Sequence, residues 1–258
     1  PAKRGKPHTP HNPDWDEKII DDLGYGTLPE SGQGARNDLK KVTDALQSGS
    51  SAQDIARDPE MGGTYIRYST GVERSFFHQQ EPRCLDQVPR VLVAYGTTGS
   101  FKTRLCLTTL TTNAIPYYIR DPGQKEWFDG YASQKAIHME EFRGHTLPYS
   151  TLLHLLDWTQ YRAPVKSSFV QVQADTFTFA TPVHPKDWYS NLSTQAEGSL
   201  DQLKRRLSEN PQSRILNMDS QCFVDWDGNQ LPFTATPDWL KDSITKIIPT
   251  FSHCSSSN

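Results

Sequence analysis

Val91-Leu-Val-Ala-Tyr-Gly96-Thr-Thr-Gly99-Ser100-Phe101-Lys102-Thr103 decides how the rest of the chain is read. An apolar run at 91–95 leads into a glycine-bearing loop and then into a segment of helical character starting near Lys102. Strand, glycine loop, lysine-hydroxyl pair and helix is the layout of a phosphate-binding loop, where backbone N–H groups cradle phosphates and the lysine offsets their charge. Against the pattern G-x-x-x-x-G-K-[ST], Gly96, Lys102 and Thr103 are in place and Gly99 and Ser100 lie within the loop, but Phe101 stands at the second glycine position. The loop alone leaves two readings open: a nucleotide site, or a strand-to-helix turn in which Lys102 and Thr103 only begin a helix.

Upstream, residues 1–30 are rich in Pro, Gly, His and charge and read as a disordered or linker remnant. The short patch Lys3-Arg4-Gly-Lys6 fits a nuclear address or a solvated tail, and His8 and His11, set among prolines, read as loop residues. From 31 onward Leu39, Val42, Leu46 and Ile55 recur at helical spacing, with Asn37 or Asp38 as the expected cap of the first helix. A further helix is expected over 63–79, so that 31–82 forms a small helical subdomain, and 82–89 reads as a linker into the first strand.

Downstream, 114–119 reads as a short strand and 136–139 as another, closed by Glu140-Glu141. Leu152, Leu153, Leu155 and Leu156 predict an amphipathic helix over 149–158. Residues 165–172 and 176–180 read as strands, the first preceded or interrupted by Lys166-Ser-Ser168, and 199–207 as a helix carrying Lys204-Arg205-Arg206. Strands without strict alternation, interleaved with helices, imply an α/β core with a mostly parallel sheet covered on both faces. The expected layout is a core over 83–210 and a C-terminal extension of loops and short elements over 211–258.

Composition narrows the function classes. The chain has 258 residues, enough for one main domain with a sizeable core. With 27 basic and 30 acidic residues, the formal net charge of -3 gives no overall positive field, so any nucleic-acid surface must be local. Cys84, Cys106, Cys222 and Cys254 form no C-x-x-C pair, which argues against a zinc site or disulfide framework and for a reduced, intracellular protein. No run approaches the roughly 20 apolar residues that cross a bilayer. The first residue is Pro1, so a fragment or processed product is expected.

A nucleoside triphosphatase needs a phosphate cradle, a lysine, a hydroxyl for Mg2+ and acidic residues at the end of a neighbouring strand. Lys102, Thr103, Glu140 and Glu141 supply these types in that order. Four further blocks then carry a family resemblance: Trp127-Phe-Asp-Gly-Tyr131, Glu140-Glu-Phe-Arg-Gly144, Leu152-Leu-His-Leu-Leu-Asp157 and Pro185-Lys-Asp-Trp-Tyr189. In this order they resemble the helicase half of replication-associated (Rep) proteins of circovirus-like, circular single-stranded DNA viruses, over about residues 31–207.

The resemblance implies a superfamily 3 helicase core of the AAA+ type behind a helical oligomerisation subdomain. It also implies ATP and Mg2+ as cofactors, a homo-oligomeric ring, single-stranded DNA as partner and the host nucleus as the place of action. By position, Gly96, Gly99, Ser100, Lys102 and Thr103 fall on Walker A, and Glu140 and Glu141 on Walker B, with Thr103 and Glu140 toward the metal. Lys166 falls on the pore-hairpin lysine that meets DNA phosphate, and Arg205 and Arg206 on the basic pair that includes an arginine finger; both also read as ordinary solvated residues.

Three departures accompany these matches. Phe101 should crowd the nucleotide or displace the loop; Pro182 stands where the family's sensor asparagine orients water; and Glu140 is one methylene longer than the usual aspartate. The family's upstream nuclease signature, a paired-His motif with a tyrosine nucleophile, is not present, and Tyr25 has no lysine near it. A Rep-like helicase segment is thus set beside two alternatives: a catalytically inactive, Rep-derived oligomerising or nucleic-acid-binding protein, and an RNA helicase of the same superfamily.

Overall fold

The computed structural model describes residues 36–83, 89–166, 168–190 and 199–248. The basic patch, His8, His11, Tyr25, most of the expected linker and the serine tail lie outside the described residues.

The N-terminal part is helical. Helix α1 (Asn37–Gln47) buries Val42 and Leu46, one turn apart, and is preceded by Arg36 without a side-chain cap. Asn37 therefore lies inside the helix rather than capping it, and Asp38 instead pairs with Arg36 at 2.9 Å in the first turn, where a carboxylate suits the helix dipole. Helix α2 (Ala52–Arg57) starts from a reciprocal cap: the Ser51 hydroxyl accepts from the Asp54 amide, and the Asp54 carboxylate accepts from the Ser51 amide. Helix α3 (Gly62–Gln79) is kinked at Tyr68 and closes this unit, in which Val42, Leu46, Ala52, Ile55, Val72 and Phe76 share one small core.

The remaining elements build a seven-stranded sheet. In chain order they are β1 (Arg90–Tyr95), α4 (Lys102–Thr112), β2 (Tyr117–Arg120), β3 (Ala136–Met139), α5 (Tyr149–Leu155), β4 (Arg162–Val165), β5 (Ser168–Gln171), β6 (Thr176–Thr181), α6 (Ser199–Lys204), β7 (Ser213–Asn217), β8 (Cys222–Val224), β9 (Gln230–Leu231) and α7 (Asp238–Ile247). The strand order is β2-β3-β6-β1-β7-β8-β9; β2, β3, β6, β1 and β7 run parallel, and β8 and β9 run antiparallel. This mostly parallel, helix-covered sheet is the α/β architecture expected, consistent with a P-loop-like core.

Alternation along the strands sorts the two faces. Val91, Val93, Ile137, Met139, Phe177 and Phe179 enter a large core shared with α5 and the aromatic loops. Leu92 and Ala94 face Leu105 and Cys106 of α4 and Trp239, Leu240 and Ile244 of α7. Among the described residues no helix is long and apolar enough to cross a membrane.

Three segments differ from their sequence reading. Residues 165–172 are not one strand: β4 and β5 form a separate two-stranded antiparallel hairpin that turns at Lys166. The short strand placed at 114–119 begins later, at Tyr117, because Ala114 has a positive φ of 52° and Pro116 precedes it. Residues assigned to the C-terminal extension enter the sheet, β7 pairing along β1 from Val91↔Ser213 to Tyr95↔Asn217.

Arg83 ties the arriving chain to the core. Its buried guanidinium donates to the carbonyls of Leu155 (3.0 Å), Ala174 (3.0 Å), His154 (3.3 Å) and Thr159 (2.8 Å).

Candidate nucleotide site

Parallel strands β1, β6 and β3 are neighbours in the sheet, so their C-terminal ends open onto one edge. The loop after β1, the Thr181-Pro182 segment after β6 and Glu140-Glu141 after β3 are therefore brought together by topology, across large separations in sequence.

The loop turns with positive φ at Gly96 (151°), Gly99 (85°) and Phe101 (62°), the last being the residue immediately before α4. A Cβ on Gly96 would lie 3.0 Å from a carboxylate oxygen of Asp219. Glycine is thus required there by a close approach as well as by backbone. Lys102 is 7 % exposed and its ammonium curls over the loop, donating to the Thr97 carbonyl at 2.6 Å and lying 3.4 Å from the Ser100 hydroxyl. Its charge is held inside the cup formed by the loop.

Phe101 is accommodated at the start of α4 by its backbone. It adopts the left-handed conformation that a glycine would take, and its ring points outward, 63 % exposed, with the Arg104 guanidinium 6.0 Å from the ring centroid. Left-handed backbone costs an L-residue about 1–2 kcal/mol, partly offset by the extra chain entropy that glycine loses on folding. Phe101→Gly is accordingly expected to stabilise the protein by about 0.5–1 kcal/mol. Urea unfolding checks this, and a loss of stability would mean that the ring contributes packing that its exposure does not suggest.

Across the edge, the Thr103 hydroxyl donates to Glu140 Oε1 at 2.5 Å, and His138 Nε2 lies 2.8 Å from Glu140 Oε2. The His138 hydrogen bond is the largest influence on Glu140 and holds it below the usual carboxylate value; partial burial opposes the shift, while Thr103 and the Lys102 charge add to it. Glu140 is thus ionised at neutral pH. Glu140 Oε1 is the atom that Thr103 engages. Glu141 follows with a φ of 44° and an exposed carboxylate, a strained backbone of the kind found where function fixes a side chain.

One hydroxyl and one ionised carboxylate oxygen converge here, a hard-oxygen pair suited to Mg2+, which takes few protein ligands and completes its shell with waters and phosphate. The donor set at Thr103 and Glu140 fits that ion.

Asp219 was not singled out by sequence. It stands in the turn after β7, and its carboxylate accepts from the Thr97 amide (3.0 Å to each oxygen) and from the Thr97 hydroxyl (2.7 Å). Asn217 braces that turn by accepting from the amides of Asp219 and Ser220. The signal available was Asn-x-Asp after a short apolar run, an Asx-turn pattern at a strand end.

At the end of β6, the Thr181 carbonyl accepts from the Gly96 amide at 3.3 Å. Pro182 comes next and offers neither an amide side chain nor a backbone donor. The other expected residues are not brought to the loop. Lys166 caps the separate β4–β5 hairpin, its amide donating to Asp129 Oδ1 at 2.8 Å and its exposed ammonium 3.5 Å from Asp129 Oδ2. Arg205 and Arg206 lie in a π-helical turn before β7, at the sheet edge opposite the loop. Arg206 is 2.7 Å from Asp157 and also donates to the Gln202 carbonyl; Arg205 is exposed.

The mostly parallel sheet and the helices on it define an α/β protein consistent with a P-loop-like core. No protein-family model matches the chain. It is similar to the replication-associated proteins of canary circovirus (29 % identical over 216 residues, 83 % of this chain and 64 % of the relative), pigeon circovirus (30 % over 171 residues, 64 % and 49 %) and beak and feather disease virus (31 % over 147 residues, 56 % and 47 %). The chain is related to circovirus-like Rep proteins, and it spans less than two thirds of the length of each of these relatives.

Proposed function

We propose that this chain is a Rep-type segment that binds and hydrolyses ATP with Mg2+, assembles as a homo-oligomeric ring, and moves on single-stranded DNA during viral replication in the host nucleus. The observation that carries this reading is the contact between Thr103 and Glu140 beside a lysine already folded into a glycine loop. When bound, Mg2+ would neutralise phosphate charge at that pair. The chain's own residues have the remaining tasks. Lys102 is placed to exchange its loop acceptors for phosphate oxygens, and α4 directs the free amides of its first turn toward the same region. Glu141, exposed at the strand end, is the group available to take a proton from an attacking water. Lys166 on its hairpin is the phosphate contact for the DNA strand, acting as a point charge. Arg205, exposed and remote from its own loop, is the arginine free to reach a neighbouring copy, whereas Arg206 is already engaged by Asp157.

A second reading, a Rep-derived protein that keeps the fold and the binding surfaces without turnover, is favoured by Phe101 and by the absence of a sensor amide at Pro182. One experiment separates the two. ATP hydrolysis is measured with and without single-stranded DNA for the parent and for Lys102→Ala. The first reading expects a DNA-stimulated rate that falls about 100-fold in the variant. Equal background rates in both proteins would leave the second.

A further inference from the structure

Among the described residues, His138 is the one buried imidazole in this region, and the reaction outlined above does not use it. It is wholly buried on β3, two residues before Glu140 and therefore on the same face of the strand, and it stands opposite Thr178 in the β3–β6 register. Both ring nitrogens are engaged: Nδ1 is 2.8 Å from Thr178 Oγ1 and Nε2 is 2.8 Å from Glu140 Oε2. Because the ionised Glu140 can only accept, Nε2 carries a proton. Thr178, His138, Glu140 and Thr103 thus form one line of hydrogen bonds running from the middle of the sheet to the start of α4.

We propose that His138 is a positioning residue for Glu140, and that it replaces with a hydrogen bond the restraint that a shorter aspartate would have from its length. A glutamate has one more rotatable bond than an aspartate and would sample more orientations at a strand end. By holding Oε2, His138 leaves Oε1 directed at Thr103 and the carboxylate charged where a divalent cation would sit. An outer partner of this kind fixes a ligand's direction and typically changes metal affinity about 10- to 100-fold when removed. The inference rests on the nucleotide reading for its consequence, but the geometry it describes does not require nucleotide.

The test uses two substitutions that keep different halves of the imidazole. His138→Asn places an amide near the Nδ1 position and falls short of Glu140; His138→Gln extends a donor toward the Nε2 position. Calorimetry of ATP binding in Mg2+ and in EDTA gives, for each protein, the factor by which Mg2+ tightens binding. His138→Asn is expected to reduce that factor about 10-fold with EDTA-state affinity unchanged, and His138→Gln to restore most of it. Equal factors in parent and His138→Asn, or an equal loss of affinity with and without Mg2+, would overturn the proposal, because a purely structural role would not separate the two states. Should the parent fail to bind ATP, the nucleotide reading fails and the positioning role is decided by imidazole 15N spectra. A protonated Nε2 whose resonance moves in Glu140→Gln supports it, and an unchanged spectrum removes it.

Discussion

Arg83→Leu is expected to lower unfolding stability by about 3–4 kcal/mol, the largest effect anticipated for any single residue outside the glycine loop. The guanidinium is 6 % exposed and touches no carboxylate; its partners are four backbone carbonyls. Burial lowers its pKa, yet arginine starts so high that the charge remains. Two of the carbonyls, His154 and Leu155, belong to the end of α5, where the helix dipole favours a cation. Leucine would fill part of the volume and take the donor from the Leu155, Ala174 and Thr159 carbonyls, while His154 keeps a long bond from the Asp157 amide; each lost bond costs about 1–3 kcal/mol before relaxation. Lysine cannot repair the loss, since a compact ammonium has no planar fork to span four acceptors. Urea unfolding with an unchanged m-value is the measurement. A loss below about 1 kcal/mol would mean that water reaches the carbonyls and that Arg83 is not the tie described here.

Gly144→Ala is expected to cost about 3 kcal/mol, for a purely steric reason. A Cβ at this position would lie 1.5 Å from the Trp188 carbonyl oxygen and 2.2 Å from its carbon. The obstacle is backbone, so no rotamer change relieves it. Nor can Trp188 easily retreat: its ring packs edge-on against Phe142 with centroids 4.6 Å apart, lies 5.2 Å from Phe179, and donates through Nε1 to the Thr181 hydroxyl. Thr181 in turn holds the Gly96 amide, so the displacement should reach the loop. Thermal unfolding should show a drop of roughly 10 °C. A variant as stable as the parent would show that the Pro185–Asp187 turn and Trp188 shift as a unit without penalty.

The contacts behind these two expectations bear on why so much was legible in the sequence. Residues of the four blocks that carry the Rep resemblance are each tied tightly into the fold. Gly144 admits the Trp188 backbone, Asp129 pins the hairpin at Lys166, Asp157 engages Arg206, and Phe128 and Tyr131 are buried in the core. Residues so constrained leave an unusual aromatic and acidic pattern, which is why the pattern announces the fold before any catalytic residue does. The strand and helix around the glycine loop were equally plain, because β1 is apolar on both faces and α4 follows a lysine-threonine pair.

What stayed hidden has physical causes too. β7 was missed because Arg214 and Asn217 flank its two apolar residues, so a strand in the body of the sheet reads as loop; its partners on both sides do the burying. Helix α7 carries Trp239, Leu240, Ser243 and Ile244 on one face, a helical spacing obscured by the neighbouring prolines. The β4–β5 turn was marked by Lys166-Ser-Ser168, but without a glycine there the strand on its N-terminal side, β4, was not separated from the loop before it. Asp219 and His138 act only through tertiary pairing: the first lies far along the chain from Thr97, and the second was absorbed into an apolar run whose buried face it shares.

The place of β7 has a consequence for how the protein is made. β1 lies between β6 and β7, so as the chain leaves the ribosome the strand bearing the glycine loop gains its first neighbour only with Thr176–Thr181 and its second only with Ser213–Asn217. Until then one edge of β1 presents unpaired amides and carbonyls, a template open to other nascent copies. Asp219, which grips the loop, arrives two residues after that second neighbour. The loop written first is therefore the last part of the site to be fastened, and premature termination between Thr181 and Ser213 would release a chain with a sticky interior strand rather than a smaller folded protein.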